Sequence, residues 1–181
     1  MTAHSYEPAI SPSSLDGTAR TLTGKKFDFN RPSPDMIDIE DIAAGLSNQA
    51  HFNGQSPYFF SIAQHCILVC DEYALQNTDA PAEMKLLALM HDASEAYTGD
   101  LIKPIKVFMP SFIALENSIM LTIAKRYNLP LHRIAEIKSY DLLIQNMEYD
   151  GFYRNGRIAY MDQETARRVF LDRFSEYYHA E

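Results

Sequence analysis

A chain of 181 residues with 46% hydrophobic and 22% charged residues can bury a substantial core in one domain, and this mix is ordinary for a globular protein. A net charge of −8 argues against DNA or RNA as a bulk partner, because binding a phosphate backbone calls for a cationic face. No run of apolar residues is long enough to span a membrane, and Met1–Ser14 lacks the apolar stretch of a secretory leader, so the cytoplasm is the expected compartment.

Residues 1–17, rich in Ser and Pro and without periodicity, read as a loose segment ahead of one domain over 18–181. Thr21–Phe27 is a candidate short hairpin, followed by an extended connector at Arg31-Pro32-Ser33-Pro34. Helical periodicity begins at Asp38, which with Asp41 resembles a capping arrangement, and continues through Ile39, Ile42, Ala43 and Leu46. Asn53-Gly54 marks a turn. Ser56-Pro57 then has the form of an N-cap with proline at the first helical position, which predicts a helix to about Asn77 carrying Tyr58, Ile62 and His65.

Pro81 opens the next predicted helix, which runs through Leu87, Ala88, His91 and Glu95 to a stop at Gly99. Lys103-Pro104 resists its continuation. Pro110-Ser111 starts a long helix through Leu115, Ile119, Ile123 and Tyr127. Another follows from about Leu131 to Asp150, and Asp162 caps a last one to about Tyr178. About six helices with almost no strand signal predict an all-α bundle. No internal repeat is evident. Cys66 and Cys70, four apart on one helix, read as a reduced, core-packed pair and not as a disulfide.

The chemistry is concentrated in two imidazoles and two carboxylates, His65, His91, Asp92 and Asp141. Such a mixed nitrogen and oxygen set suits a divalent metal ion such as Mn²⁺, Co²⁺, Fe²⁺, Ni²⁺ or Zn²⁺. Singly, each has a bland reading: a lone histidine on an apolar helix face is more often a hydrogen-bonded core residue than a ligand. Asp141 is the most telling, because it falls on the stripe Ile134, Ile137, Ile144, where a helix that buries this face wants an aliphatic side chain. A buried carboxylate there needs a cation or several donors. His91 and Asp92 are neighbours that point about 100° apart on a helix, so a helix end would have to aim both at one ion. Glu148, seven residues after Asp141 on the same face, is placed to orient the second nitrogen of a ligand histidine. His4, His132 and His179 lie outside any ligand spacing and read as surface residues.

The four residues resemble the H…HD…D ligand set of the HD-domain phosphohydrolase superfamily. The string HDASEAYTGDLIKPIK, from His91 to Lys106, is similar to the HDxxExxxGDxxxPxK signature of its bacterial 5′-deoxynucleotidase-like branch. It is also similar to phage HD proteins, among them deoxyadenosine-triphosphate hydrolases, and Ile39–Ala43, Phe52-Asn53-Gly54 and Tyr58–His65 resemble the phage group especially. The resemblance implies an HD-type helical domain that holds one divalent ion (Mn, Co, Fe, Ni, Zn or Mg) through His65, His91, Asp92 and Asp141. It implies a metal-dependent hydrolysis of phosphate ester or anhydride bonds in (deoxy)nucleotides. It assigns the acids at Glu95 and Asp100 to the attacking water and the leaving group, which fits general acid–base logic. Left to composition alone, Glu95 is a solvated helix-end charge and Asp100 a turn acid after Gly99.

Lys103 and Lys106, on a proline-stiffened loop, are candidate phosphate contacts, or plain surface charge. Related enzymes often carry arginine where His51 stands; histidine there is a weaker, pH-dependent cation for substrate. Asn53, with Phe52 and Gln55, is a candidate for the sugar or base pocket. The expected partners are a small-molecule nucleotide and, at most, a second copy of the chain in a homodimer. Two other readings are an alarmone (ppGpp) hydrolase, whose HDxxED pattern differs where Ala96 follows Glu95, and a non-catalytic HD module that senses a nucleotide or metal.

Overall fold

A hairpin comes first among the described residues: β1 (Thr18–Arg20) pairs antiparallel with β2 (Lys26–Asp28), with Ala19 opposite Phe27, around a turn in which Gly24 takes a φ of 85°. This computed structural model describes residues 16–155 and 158–179. The loose segment expected over 1–17 therefore falls outside the described residues except for Asp16 and Gly17, as does His4. Asp16 is tied down, accepting from the Thr18 amide at 2.9 Å. Phe27 is fully buried and stacks on Tyr97 with ring centroids 4.3 Å apart, which docks the hairpin on the domain.

Eight α-helical segments follow among the described residues: α1 (Ile39–Asn48), α2 (Ile62–Gln76), α3 (Ala82–Leu89), α4 (Glu95–Thr98), α5 (Lys103–Lys106), α6 (Pro110–Tyr127), α7 (Ile134–Asp150) and α8 (Gln163–Tyr177). The all-α class read from the sequence holds; α4 and α5 are single turns. No helix among the described residues is long and apolar enough to cross a membrane.

Helix α2 is the axis of the bundle. Ile62, Ala63, Cys66, Ile67, Val69 and Cys70 are all buried, so it is apolar on nearly every side and packs against α3, α7 and α8. Both cysteines are free and belong to this core. Helix α8 closes the bundle against α1, α2 and α3, with Arg173 on Asp71 at 2.7 Å and Arg167 on Glu40 at 2.8 Å.

Three local expectations need correction. Asp38 does cap α1, accepting from the Glu40 amide at 3.0 Å, but Asp41 turns away from it and accepts from the Thr23 amide and hydroxyl of the hairpin. Helix α2 starts at Ile62 under a Ser61 cap, and not at Pro57. Residues before it are held extended by a bridge between Ala50 and Ser61 and by the His51 amide donating to the Phe60 carbonyl at 2.8 Å. Tyr58 is thus not helical. The predicted helix from Pro81 to Gly99 breaks after Leu89. Over 90–95 the chain winds more tightly, with Ala93 bonding back to Met90 and Glu95 back to Asp92, three residues apart in each case.

Candidate metal centre

That tightened turn solves the geometric problem of adjacent ligands. With the regular 100° step interrupted, His91 and Asp92 both face α2 and α7, and four donor atoms converge. His65 Nε2 lies 3.2 Å from Asp141 Oδ1 and 3.9 Å from Asp92 Oδ2; His91 Nε2 lies 3.2 Å from Asp92 Oδ2 and 3.9 Å from Asp141 Oδ1. Adjacent donors about 2.1 Å from a shared ion stand roughly 3.0–3.4 Å apart, so the closer pairs match the edges of a coordination shell.

The tautomers are fixed from behind. The Nδ1–H of His91 donates to the Ala88 carbonyl at 2.8 Å, and the Nδ1–H of His65 donates to Glu148 Oε1 at 2.9 Å. Both Nε2 lone pairs are therefore aimed at the centre, where both atoms are buried without a hydrogen-bond partner. Glu148 thus stands where its spacing suggested, against the second nitrogen of His65. It is itself fully buried. These His, Asp and Glu groups could hold a metal ion.

The electrostatics agree. Burial resists a positive charge on His65, but Glu148 and Asp141 outweigh it and raise its pKa well above the ordinary histidine value. Burial likewise opposes charge on His91, and Asp92 again raises it. Burial penalises the anion at Asp92 and Asp141, yet the facing imidazoles hold both carboxyls below their usual range. Without an ion these groups demand protons between them; a dication would replace those protons. Cys66 also approaches His91 and Asp92, and burial, with the nearby carboxylates, pushes its thiol far up in the metal-free chain.

Two clefts meet at the centre. One of about 350 Å³ is lined by His51, Phe52, Asp100, Leu101, Ile102 and Pro104; the other, of about 720 Å³, by Lys138, Glu116, Asn117, Met120, Leu121 and Leu142. Asp92, Glu95, Lys103, Lys106 and Asp141 border both. Glu95 is buried at their junction. Burial, with the Asp92 and Asp100 carboxylates beside it, pushes its carboxyl up to about 9 against the pull of Lys106. Lys106 Nζ sits 3.1 Å from Glu95 Oε1 and 2.8 Å from Glu116 Oε1. It is thus held between two carboxylates, whereas Lys103 is three-quarters exposed, with its Nζ 3.9 Å from Asp141.

The remaining expected residues divide. Asp100 lies at the wall of the smaller cleft, its Oδ2 accepting from His51 Nδ1 at 3.0 Å. His51 is buried and points inward. Asn53 is exposed, at a φ of 53°, and lines neither cleft. Its neighbour Phe52, also at positive φ, does line the smaller one. Glu116 and Gln145 were not anticipated. Gln145 donates to Asp141 Oδ1, and its i,i+4 spacing from Asp141 is a signal that sequence could have supplied; Glu116 carries no such mark.

No protein-family model matches the chain. It is similar to the uncharacterized protein YfdR of Escherichia coli (strain K12), 37% identical over 125 residues that make up 69% of this chain and 66% of that protein. It is also similar to an uncharacterized protein of Rhodobacter capsulatus, 37% identical over 122 residues, 66% of this chain and 62% of that one. The chain spans somewhat under two thirds of the length of these curated relatives.

Proposed function

We propose that this protein is a divalent-metal phosphohydrolase of the HD type, acting on (deoxy)nucleotides. The observation that carries the reading is the pair of buried, unpartnered imidazole nitrogens that meet Asp92 and Asp141 beside a buried, proton-retaining Glu95. The expected ion is a transition metal such as Mn²⁺, Co²⁺, Fe²⁺, Ni²⁺ or Zn²⁺, or Mg²⁺. When bound, it supplies Lewis acidity toward a phosphoryl oxygen and acidifies water.

The chain's own residues supply the rest. Glu95 has one oxygen fixed by Lys106 and the other, Oε2, without a partner, so it is aimed and free to take the proton of an attacking water. Its carboxyl is too basic for an anion near neutral pH while the centre lacks a cation. Positive charge held by Asp92 draws it down toward the value a general base needs. The water oxygen bonds to phosphorus as the P–O bond to the leaving group breaks, and Asp100 faces the leaving side from the smaller cleft. Lys103, exposed and loosely held at the rim, meets a phosphate that is not reacting. Phe52, Leu101, Ile102 and Pro104 give the smaller cleft an apolar wall suited to a sugar or base.

The test is phosphate release from a panel of nucleoside and deoxynucleoside mono-, di- and triphosphates, each with Mn²⁺, Co²⁺, Mg²⁺ or Zn²⁺. Metal-dependent release that EDTA abolishes supports the reading. Metal uptake without any release favours a sensor, and no uptake at all removes the hypothesis.

A further inference from the structure

His51 is expected from the sequence to meet substrate as a cation, yet its side chain is only 8% exposed and both ring nitrogens face carboxylates. Nδ1 donates to Asp100 Oδ2 at 3.0 Å. Nε2 lies 3.7 Å from Glu148 Oε2, and neither of these two buried atoms has a hydrogen-bond partner. The ring is stacked on His65, with centroids 4.5 Å apart and planes inclined by 29°. The other oxygen of Glu148 holds His65 Nδ1 at 2.9 Å. A line of side chains therefore runs from the cleft wall through Asp100, His51 and Glu148 to His65, hydrogen-bonded at its two ends and in 3.7 Å contact between His51 and Glu148. The backbone reinforces it, because the His51 amide bonds Phe60 and the next residue, Phe52, adopts a strained positive φ.

We infer that His51 is a positioning residue that braces the Asp100 carboxylate on one side and, through Glu148, the His65 ring on the other. This deepens the phosphohydrolase reading and rests on it. A residue placed to bind phosphate would direct its charge into the cleft. His51 instead turns both ring nitrogens toward buried carboxylates, so removing the ring should disturb metal binding and turnover but not substrate affinity.

The two links can be cut separately. An asparagine amide reaches about where Nδ1 stands and a glutamine amide about where Nε2 stands, so His51→Asn keeps the donor to Asp100 and His51→Gln keeps a polar group facing Glu148. The measurements are Mn²⁺ affinity by electron paramagnetic resonance, and kcat and KM on the nucleotide that the wild-type protein hydrolyses. Lost supporting contacts of this kind weaken metal affinity or activity by about 10- to 100-fold. His51→Asn is expected to weaken Mn²⁺ by about that factor, and His51→Gln to lower kcat by about that factor with Mn²⁺ affinity nearly intact. His51→Ala should do both, with KM unmoved. Glu148→Gln should weaken Mn²⁺ without adding to the effect of His51→Asn, because both cut one link. If His51→Ala proves unfolded by circular dichroism, the Asn and Gln variants decide.

The inference is overturned if the variants change KM alone, which would make His51 a substrate contact. It is also overturned if Mn²⁺ affinity and kcat both stay at wild-type values, which would leave His51 a structural residue. Failure of the parent reading looks different: the wild-type protein itself would take up no Mn²⁺ or release no phosphate.

Discussion

Metal removal should destabilise the protein most where the buried imidazoles must give up their protons. In the metal-free chain His65 and His91 have pKa values raised above the ordinary value of about 6.5. The stability they contribute is fully present below about pH 6.5 and is lost as pH rises through their raised folded values. Asp92 and Asp141 are depressed, so their contribution is present above about pH 4 and is lost as pH falls through their folded values. The metal-free protein is therefore most stable between roughly pH 4 and 6.5 and weakens on the alkaline side. A dication reverses this, since it binds the deprotonated ligands and gains affinity as pH rises.

The size of the effect follows from mass action. An ion present at about 100 times its dissociation constant adds about 2.7 kcal/mol to the folded state. For a chain of this length about 1 kcal/mol moves Tm by roughly 2–4 °C, which gives a rise of about 5–11 °C. Scanning calorimetry of EDTA-stripped protein at about pH 6 and about pH 8, with and without Mn²⁺, measures it. The expected outcome is a larger Mn²⁺-induced rise at the higher pH, abolished by Asp141→Ala. Equal shifts at both pH values, or an Asp141→Ala protein that responds like the wild type, would refute the assignment of these four ligands.

Glu95→Gln should retain its metal and lose about 10²- to 10⁴-fold in kcat, as expected for removal of a general base; unchanged turnover would reduce Glu95 to an ion-pair partner of Lys106. Lys103→Ala should raise KM more than it lowers kcat, and more so with each added phosphate if a triphosphate is the substrate, which mono-, di- and triphosphate kinetics would show. Gly45→Ala should lower Tm, although alanine in a helix interior is ordinarily favoured by about 0.5–1 kcal/mol. The new methyl would sit 2.7 Å from the Ala96 carbonyl oxygen and force α1 away from α4, the turn that starts at Glu95, so kcat should fall with it.

What the sequence disclosed and what it hid divides along the range of the interactions. Helices α1, α6, α7 and α8 announced themselves because periodicity and caps are local: Asp162 caps α8, and Asn128 ends α6 in the left-handed region. Asp141 and Glu148 were legible for a related reason, since seven residues are nearly two turns and return to one face. The start of α2 was not legible, because Ser56-Pro57 carries a valid local signal that the strand-like pairing of His51 with Phe60 overrides from a distance. The break after Leu89 was hidden as well. No glycine or proline marks it, and the hydrogen bond from His91 to Ala88 that fits the tightened turn exists only once the chain has folded. The inward turn of His51 and the capture of Lys106 by Glu116 depend on partners 49 and 10 residues away. No periodic pattern encodes those.

The shape of the centre also bears on what kind of ion it could hold and to what end. A buried histidine–carboxylate cluster kept only for stability would be expected to pair its donors, because apolar residues of similar volume are often as good or better there. Here, among the described residues, the buried unpartnered side-chain nitrogens are those of His65 and His91, aimed at the centre, and that of His51, which faces Glu148. A structural metal site closes on every side, whereas a catalytic one keeps an open position. The imidazoles of His65 and His91 form the buried floor, at 0% and 5% exposure, while Asp92 and Asp141 stand at the mouth, at 28% and 17%. The open side is the one on which both clefts converge and Glu95 waits with a free oxygen. An ion held there would be reachable by a phosphate entering from either cleft. That asymmetry supports the proposed phosphohydrolase reading over a structural clamp.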